Sequence, residues 1–382
     1  MKTKSPNGPA RGAAHPAPVT PPTNERSSPT LDLGVALPKE WLAASGLALG
    51  ATLDGRVLAD GSLLLRVGPA TEPVDVCAVE ITSEIPIEHV FRQLVAAYLG
   101  GAEEFILVEP GGLGSSTIEI ARTFAERTAS PEIVFQGRDR IVLRIPPGRS
   151  AVSLPNEVRR MFQLSAGLQE TAGEVLALVR PVDPSEMARR DDAIDRQAWL
   201  VERTLARRAA RPPDGAPWGT GDELPSWLLL ARALERVGDH AVTLGLCGIQ
   251  LAECSVPDGV RAAVRAYHRQ VVEYLRSAYE VTETPEVDRA NELLDLGEAL
   301  HATHTALTES LLVRAGVGLS PLTSACVGLI LQSIDRTAAY AQDIAEIGLD
   351  RAIAVRIALG PVDPAGRAAP LPRAPPLAAP SR

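Results

Sequence analysis

The chain has 382 residues, 45% of them apolar and 22% charged, with a formal net charge of −9. That length supports two or three domains with a substantial core. The acidic balance, relieved by no local basic patch, excludes broad adhesion to nucleic acid. Aromatic residues make up only 4% against abundant Ala and Leu, which favours helix packing over an all-β core.

Residues 1–30 are rich in Pro, Gly, Ala and Ser and carry nothing to bury, so a disordered arm is expected there, with a second Pro/Ala tail over 359–382. Ordered sequence begins near LDLGVALPKEW. Leu33, Val35 and Leu37 alternate as in a strand, and Pro38 opens a short helix that Gly46 ends. LALGATLDGRVL reads as a turn, and Asp60-Gly61 signals a hairpin into the strand SLLLRV. A β module this small, over residues 31–70, is marginal alone, so a dimer is expected.

Residues 74–146 change rhythm. VDVCAVEI, EEFILVEP, EIVFQG and RIVLRI read as strands, the last two flanking an Arg138-Asp139 turn. PIEHVFRQLVAAYLG and SSTIEIARTFAERTA read as helices, which makes a compact α/β layer. GGLGSS (111–116) joins a strand to a helix, but no Gly-Lys-Ser/Thr follows, so it is not a P-loop, and Ser115 or Ser116 is expected as a plain N-cap.

From Ser153 to about Gly360 the pattern is helical. Starts are marked by Ser153-Leu154-Pro155, Asp183-Pro184, Asp222-Glu223, Val256-Pro257-Asp258, Thr284-Pro285 and Ser320-Pro321, giving about six helices. The break RPPDGAPWGTG (211–221) reads as an exposed loop. No apolar run approaches the roughly 18 residues needed to span a bilayer, and no apolar segment follows Lys2 and Lys4. Cys77, Cys247, Cys254 and Cys326 form no C-x-x-C pair; Cys247 and Cys254, seven apart, read as small core residues on one helix face. The expectation is a soluble, cytoplasmic protein in a reducing compartment, without membrane insertion.

The helical region repeats at an offset of 100 residues. Glu186 matches Glu286, Arg189 Arg289, Asp195 Asp295 and Leu200 Leu300; further on, Glu235 matches Asp335, Arg236 Arg336 and Ala241 Ala341. One offset covering two separated clusters predicts two tandem three-helix bundles, over 153–255 and 256–358. Asp191-x-x-x-Asp195 and Glu235-x-x-x-Asp239 each place two carboxylates on one helix face. Facing each other, the four would suit a hard or borderline cation. The plain alternative is an interhelical polar network with Arg196 and Arg236. The second half offers only Asp295 and Asp335, with Asn291, Ala339 and Tyr340 where the first has Asp191, Asp239 and His240.

Arg236 is expected to point off the carboxylate face, and it and His240 stand as candidates for the surroundings of a metal, or for polar packing. His301 and His304 are a possible ligand pair, with a solvated face as the default. Lys39 and Arg56 are the candidates for DNA contact in the N-terminal module. No order or spacing suggests a nucleophile with its base, and Glu235-x-x-Gly238 lacks the histidine that a carboxylate-bridged di-iron bundle needs. A non-enzymatic protein is expected.

The phrase ALERVGDHAV (233–242) strongly resembles the signature of the PhoU family, and DDAIDRQAWLVERTL (191–205) and DRTAAYAQDIAEIGLD (335–350) look like its other segments. VALPKEWLAASGLALGATLDG with DGSLLLRV is similar to the AbrB/MazE-type swapped hairpin, and the order matches archaeal PhoU-like regulators. The resemblance implies an α+β chain: a swapped-hairpin β module, a small α/β layer, then two PhoU-like helical repeats. It implies regulation of phosphate uptake and homeostasis through a phosphate transporter ATPase or a signalling protein, with divalent metal on the carboxylate motifs. The AbrB-type module implies a homodimer and, as the alternative function, transcriptional control of phosphate genes by direct DNA binding. Here that module departs from the pattern: over 31–68 its cations Lys39, Arg56 and Arg66 face Asp32, Glu40, Asp54 and Asp60, which favours dimerisation over phosphate-backbone contact.

Overall fold

The computed structural model describes residues 36–47, 50–51, 53–57, 63–67, 75–146, 153–178, 182–210, 224–314 and 319–359. The expected arm (1–30), the Leu33–Val35 strand, the 211–221 loop and the tail beyond Leu359 lie outside the described residues. The chain divides into a unit of residues 1–54 with 66–69 and a unit of residues 55–65 with 70–382.

Helix α1 (Lys39–Ser45) forms where PKEW predicts it and ends at Gly46, whose φ of 62° is the left-handed conformation that a Cβ disfavours. Strands β1 (Leu53–Val57) and β2 (Leu63–Val67) pair in a two-stranded sheet. The β1 segment corrects the reading of LALGATLDGRVL as a turn: Leu53, Gly55 and Val57 share the period of two, and a built Cβ on Gly55 would lie 3.4 Å from Leu65 across the pair.

The α/β layer follows its sequence closely. Strand β3 (Val76–Glu80), helix α2 (Ile87–Leu99), β4 (Glu104–Val108), α3 (Ser115–Arg127), β5 (Glu132–Gln136) and β6 (Arg140–Arg144) form a four-stranded sheet ordered β3-β4-β6-β5. The β3–β4 pair is parallel, joined through α2; β4–β6 and β6–β5 are antiparallel, with a bulge between Ile133 and Phe135. Val90, Leu94, Tyr98, Phe105, Leu107, Phe124, Ile141 and Leu143 fill the space between sheet and helices. The N-terminus of α3 departs from expectation. Gly114, not a serine, is its N-cap, and Glu109 at the end of β4 accepts from the Gly114 amide and the Thr117 hydroxyl, both at 2.7 Å. A carboxylate thus sits where the helix end would favour an anion.

Six long helices follow: α4 (Leu154–Leu176), α5 (Pro184–Ala210), α6 (Leu224–Ala252), α7 (Asp258–Glu283), α8 (Val287–Thr308), continued by a π-helical turn over Glu309–Arg314, and α9 (Pro321–Leu359). Two of the expected starts are capped by their own side chains. Asp183 accepts from the Ser185 amide at 2.9 Å, and Ser320 from the Thr323 amide at 3.1 Å. Helix α6 packs on α4 and α5, α9 packs on α7 and α8, and α6 and α9 lie along each other. They run antiparallel: Arg351 near the end of α9 covers the Trp227 ring near the start of α6 at 4.6 Å, while Cys326 near the start of α9 meets Gln250 near the end of α6. One continuous apolar core runs through all six.

A polar junction sits inside that core. The Gln169 amide donates to the Val237 carbonyl at 2.9 Å and the Thr337 hydroxyl at 3.0 Å, and its oxygen lies 3.1 Å from His268 Nε2. With the amide so fixed, His268 donates through Nε2, and Thr337 passes its own proton to Ser333 O at 2.9 Å. Four helices, α4, α6, α7 and α9, meet at this one side-chain amide. The Gln169 amide, the Thr337 hydroxyl and His268 Nε2 all have partners at this junction, so their burial need not be destabilising. Burial pushes the His268 imidazole down to about 4.

Helix α5 also carries the α/β layer. Buried Arg203 donates to the Tyr98 carbonyl at 2.6 Å and the Gly101 carbonyl at 3.2 Å, and lies over the Tyr98 ring at 4.8 Å. Arg207 pairs with Glu103, and Trp199 packs against the core of the layer.

Two outcomes follow from this packing. Because the folded His268 titrates near 4 and an unfolded histidine near 6.5, the unfolded chain binds more protons between those values. The His268 contribution is therefore complete above about pH 6.5 and lost as pH falls toward 4, by about 3 kcal/mol, and denaturant melts of the native chain against His268→Gln across that range read the difference. A Cβ at Gly348 would lie 2.4 Å from Val281 Cγ1 and 3.2 Å from the Val281 backbone, whereas one at Gly167 meets nothing within 4 Å. Gly348→Ala should destabilise by on the order of 2 kcal/mol, and Gly167→Ala should be neutral or stabilising by up to about 1 kcal/mol, in the same melts.

Candidate functional site

Helix α6 approaches α5 closely because it presents glycine. A Cβ at Gly238 would lie 2.8 Å from Ile194 Cδ1 and 3.8 Å from Asp191 Oδ1, and one at Gly245 would lie 2.4 Å from Met187 Cε. The two glycines are seven apart, two turns along one face. At this seam the structure brings Asp191 and Asp195 of α5 against Glu235 and Asp239 of α6. Each is within electrostatic reach of the others.

Burial, followed by repulsion from Asp195, Asp239, Asp192 and Glu235, pushes Asp191 up to about 6. Burial and then Asp239 raise Asp195 as well, partly offset by Arg127. Burial and Asp239 raise Glu235, against Arg236 and Arg232. Asp191 Oδ1 and Glu235 Oε2 are buried without a well-directed hydrogen bond. Raised carboxylates with buried oxygens that lack a hydrogen bond mark a site short of positive charge.

Two arginines supply part of what is missing. Arg236 lies 3.5 Å from Glu235 and 3.4 Å from Asp239, which corrects the expectation that it points off their face: a long, half-exposed guanidinium reaches both neighbours on its own helix. Arg127, at the end of α3, lies 2.9 Å from Asp192 and 3.8 Å from Asp195. Nothing in the sequence connects Arg127 with this site; its last-turn position reads only as a cation at a helix C-terminus. Arg196, expected within the network, turns instead to the Glu126 carbonyl at 2.9 Å. Arginine of each helix thus grips the other: Arg196 of α5 satisfies the end of α3, and Arg127 of α3 satisfies the carboxylates of α5.

His240 stacks on Tyr340, centroids 5.9 Å apart, with its buried Nδ1 unpartnered; Arg336 donates to the Tyr340 hydroxyl at 2.7 Å. Positions 240 and 340 are separated by the offset of 100, and they meet across the α6/α9 pair. In the second half, Asp335 Oδ1 lies 3.0 Å from His301 Nδ1, and Asp295 stands exposed. The His301 ring stacks on His304, so this histidine pair has a carboxylate beside it that sequence spacing did not reveal. Lys39 is exposed at the start of α1, and the Arg56 side chain lies outside the described residues.

An all-oxygen donor set with bare buried oxygens has the chemistry of a hard divalent site. Its side chains are nonetheless turned toward arginine: among the described residues no three His, Cys, Asp or Glu side chains are disposed to hold one ion. Binding there requires Asp239 and Asp195 to leave Arg236 and Arg127.

At neutral pH the ionised Asp191 opposes folding, because its folded pKa of about 6 lies above the unfolded one. The folded state binds more protons between about pH 4 and 6, so stability falls as pH rises through that window. Asp191→Asn should therefore raise stability at pH 7.5 by roughly 1 kcal/mol, discounted for its half exposure, and by less at pH 4.5, in denaturant melts at the two pH values.

Comparison with known proteins points to the same segment. Among solved structures, PhoU from Pseudomonas aeruginosa is 20% identical with a TM-score of 0.47, covering 52% of this chain and 95% of that one. The phosphate transport system regulatory protein PhoU from Streptococcus pneumoniae is 18% identical with a TM-score of 0.41, covering 52% and 95%. No curated protein matches the chain. The matching family is the PhoU domain, over residues 158–245, which run from α4 through α5 into α6 and hold all four clustered carboxylates.

Proposed function

We propose that this protein is a regulator of phosphate uptake and phosphate homeostasis that works through protein partners, a phosphate transporter ATPase or a signalling protein, and not through catalysis. One observation carries the reading: the PhoU domain match over 158–245 encloses both carboxylate motifs. The two helical halves are read as tandem three-helix repeats, and the N-terminal module as an AbrB/MazE-type dimer contact. Among the described residues no helix is long and apolar enough to cross a membrane, so any action on a transporter is exerted from a docked position.

A divalent cation, Fe, Zn or Mg, is the counter-charge that the α5/α6 seam lacks, and Asp191, Asp195, Glu235 and Asp239 would hold it. When bound it would supply electrostatic cross-linking of two helices. The chain's own residues set the resting state: Arg236 and Arg127 partly neutralise the cluster, and Gly238 keeps the helices close enough for both pairs of carboxylates to share one field.

Phosphate uptake compared between cells with and without this gene, grown in excess phosphate, tests the regulatory reading. Uptake should rise in its absence and return on complementation; equal uptake in both would overturn it. The cation is tested on the purified chain. Addition of Mg, Zn or Fe(II) salts should raise the melting midpoint of the native protein and not of Asp191→Asn/Asp239→Asn. An unmoved midpoint removes the cation and leaves the regulatory reading standing.

A further inference from the structure

Three of the four cysteines, separated in sequence by up to 79 positions, come together at one corner of the helical core, where the end of α6 meets the second turn of α9. Gln250 is the hinge of the cluster. Its backbone carbonyl lies 3.5 Å from Cys254 Sγ, and its side-chain oxygen lies 3.5 Å from Cys326 Sγ. Cys326 stands between the other two, near enough to Cys254 and to Cys247 for charge on one thiol to be felt by another. Cys77 lies apart, on β3 in the α/β layer.

The three thiols differ in access and freedom. Cys247 and Cys326 are buried within helices, and burial pushes both up, so they persist as thiols. Cys254 is partly exposed and lies two residues beyond the last residue of α6, in the turn leading to α7, its amide donating to the Leu251 carbonyl at 3.2 Å. An outside reactant meets Cys254 first, and the thiol waiting behind it is Cys326. An accessible thiol backed by a second one is the arrangement of a reversible thiol pair.

We propose that Cys254 and Cys326 form an intramolecular disulfide when the protein meets a peroxide, tying the end of α6 to α9. Cys254 gives its proton to solvent and its sulfur attacks one peroxide oxygen; the O–O bond breaks, which leaves a sulfenic acid on Cys254 and releases hydroxide. Cys326, giving its proton to hydroxide, attacks that sulfur; the S–O bond breaks and the departing hydroxide takes a proton as water. Both thiols are oxidised together by two electrons, and the peroxide is reduced to two waters. A thiol reductant reverses the bond by exchange. The bond would join the two halves of the helical repeat at the end of their shared helix pair opposite Trp227 and Arg351, with no residue of the carboxylate seam involved.

Hydrogen peroxide treatment of the purified full-length chain, followed by alkylation and peptide mapping, tests this directly. Titratable thiols should fall from the four of the reduced chain to two, with one cross-linked peptide pair joining Cys254 to Cys326 and with Cys77 and Cys247 still alkylated. The cross-link should vanish in Cys254→Ser and in Cys326→Ala, survive in Cys247→Ser, and reverse with dithiothreitol. Cys254 carried to the sulfinic acid while Cys326 remains alkylatable would overturn the proposal. So would a cross-link between two chains, or one that uses Cys247. Because the native chain's own peptide map decides between these outcomes, the result stands even if Cys326→Ala fails to fold.

Discussion

The close approach of α6 to its neighbours is the constraint on which the site depends. Gly238 and Gly245 admit Ile194 and Met187 of α5, and Gly248 admits Val175 of α4, at separations that any Cβ would forbid without movement. Helix seams of this kind gain dispersion contacts along their whole length. They also fix what lies on the rims. Glu235 and Asp239 flank the Gly238 contact on α6, Asp191 and Asp195 flank Ile194 on α5, and the seam leaves them no room to separate. The acidic field is thus a consequence of backbone packing; relieving it by spreading the helices would open the core. The repeat keeps the same device: Gly348, equivalent to Gly248, admits Val281 of α7 as Gly248 admits Val175 of α4.

Charge then decides how the α/β layer is held. Two kinds of contact join it to α5. Arg203 is buried and gives its donors to the carbonyls of Tyr98 and Gly101, contacts that do not depend on any titrating partner. Desolvation lowers its pKa to about 10, which still leaves it charged at any physiological pH. Arg127 by contrast binds two carboxylates, Asp192 and Asp195, the second of which burial and Asp239 push up. The first contact anchors the layer permanently. The second makes the orientation of the α3 terminus sensitive to whatever neutralises the carboxylates, because any added positive charge there competes with Arg127.

Much of the fold was legible because it obeys local rules. Strands β3, β4 and β6 follow the period of two, while β5 is exposed throughout and bulged, and Asp183-Pro184 and Ser320-Pro321 start helices by the capping chemistry that their residue types announce. The pairing of Asp191 and Asp195 with Glu235 and Asp239 was legible too, since residues four apart share a helix face and the motifs recur at one offset. What escaped was long-range and depended on a single side chain. Glu109 displaces the serines at the start of α3 because a strand end delivers a carboxylate there. Arg127 reaches Asp192 across 65 positions of sequence. Arg196, adjacent to Asp195 in sequence, turns away because a helix C-terminus offers it a carbonyl. The polar junction at Gln169 was also unreadable: Gln, His and Thr at isolated positions carry no period, and only the crossing of four helices makes them partners. LALGATLDGRVL failed differently, since its Gly and Asp residues speak for a turn and only the facing strand makes it β.

The repeat shows which features the fold needs and which belong to the site. Arginine persists at 236 and 336, glycine at 248 and 348, and residues 240 and 340 still meet across the α6/α9 seam although one is His and the other Tyr. The glycines and the 240/340 contact bring helices together, whereas Arg236 and Arg336 reach residues of their own helix. The carboxylates do not persist: Asn291 and Ala339 replace Asp191 and Asp239, and Asp335, left with no acidic partner on its own face, pairs with His301 instead. Asp335 thus has a histidine beside it and not further carboxylates, so the second half carries no comparable accumulation of like charge. The second half packs its helices without carboxylates at these two positions, so helix packing alone does not call for the four in the first half. There, burial and repulsion from neighbouring acids push Asp191 up to about 6, and the charge that Arg127 and Arg236 supply is shared among the whole cluster.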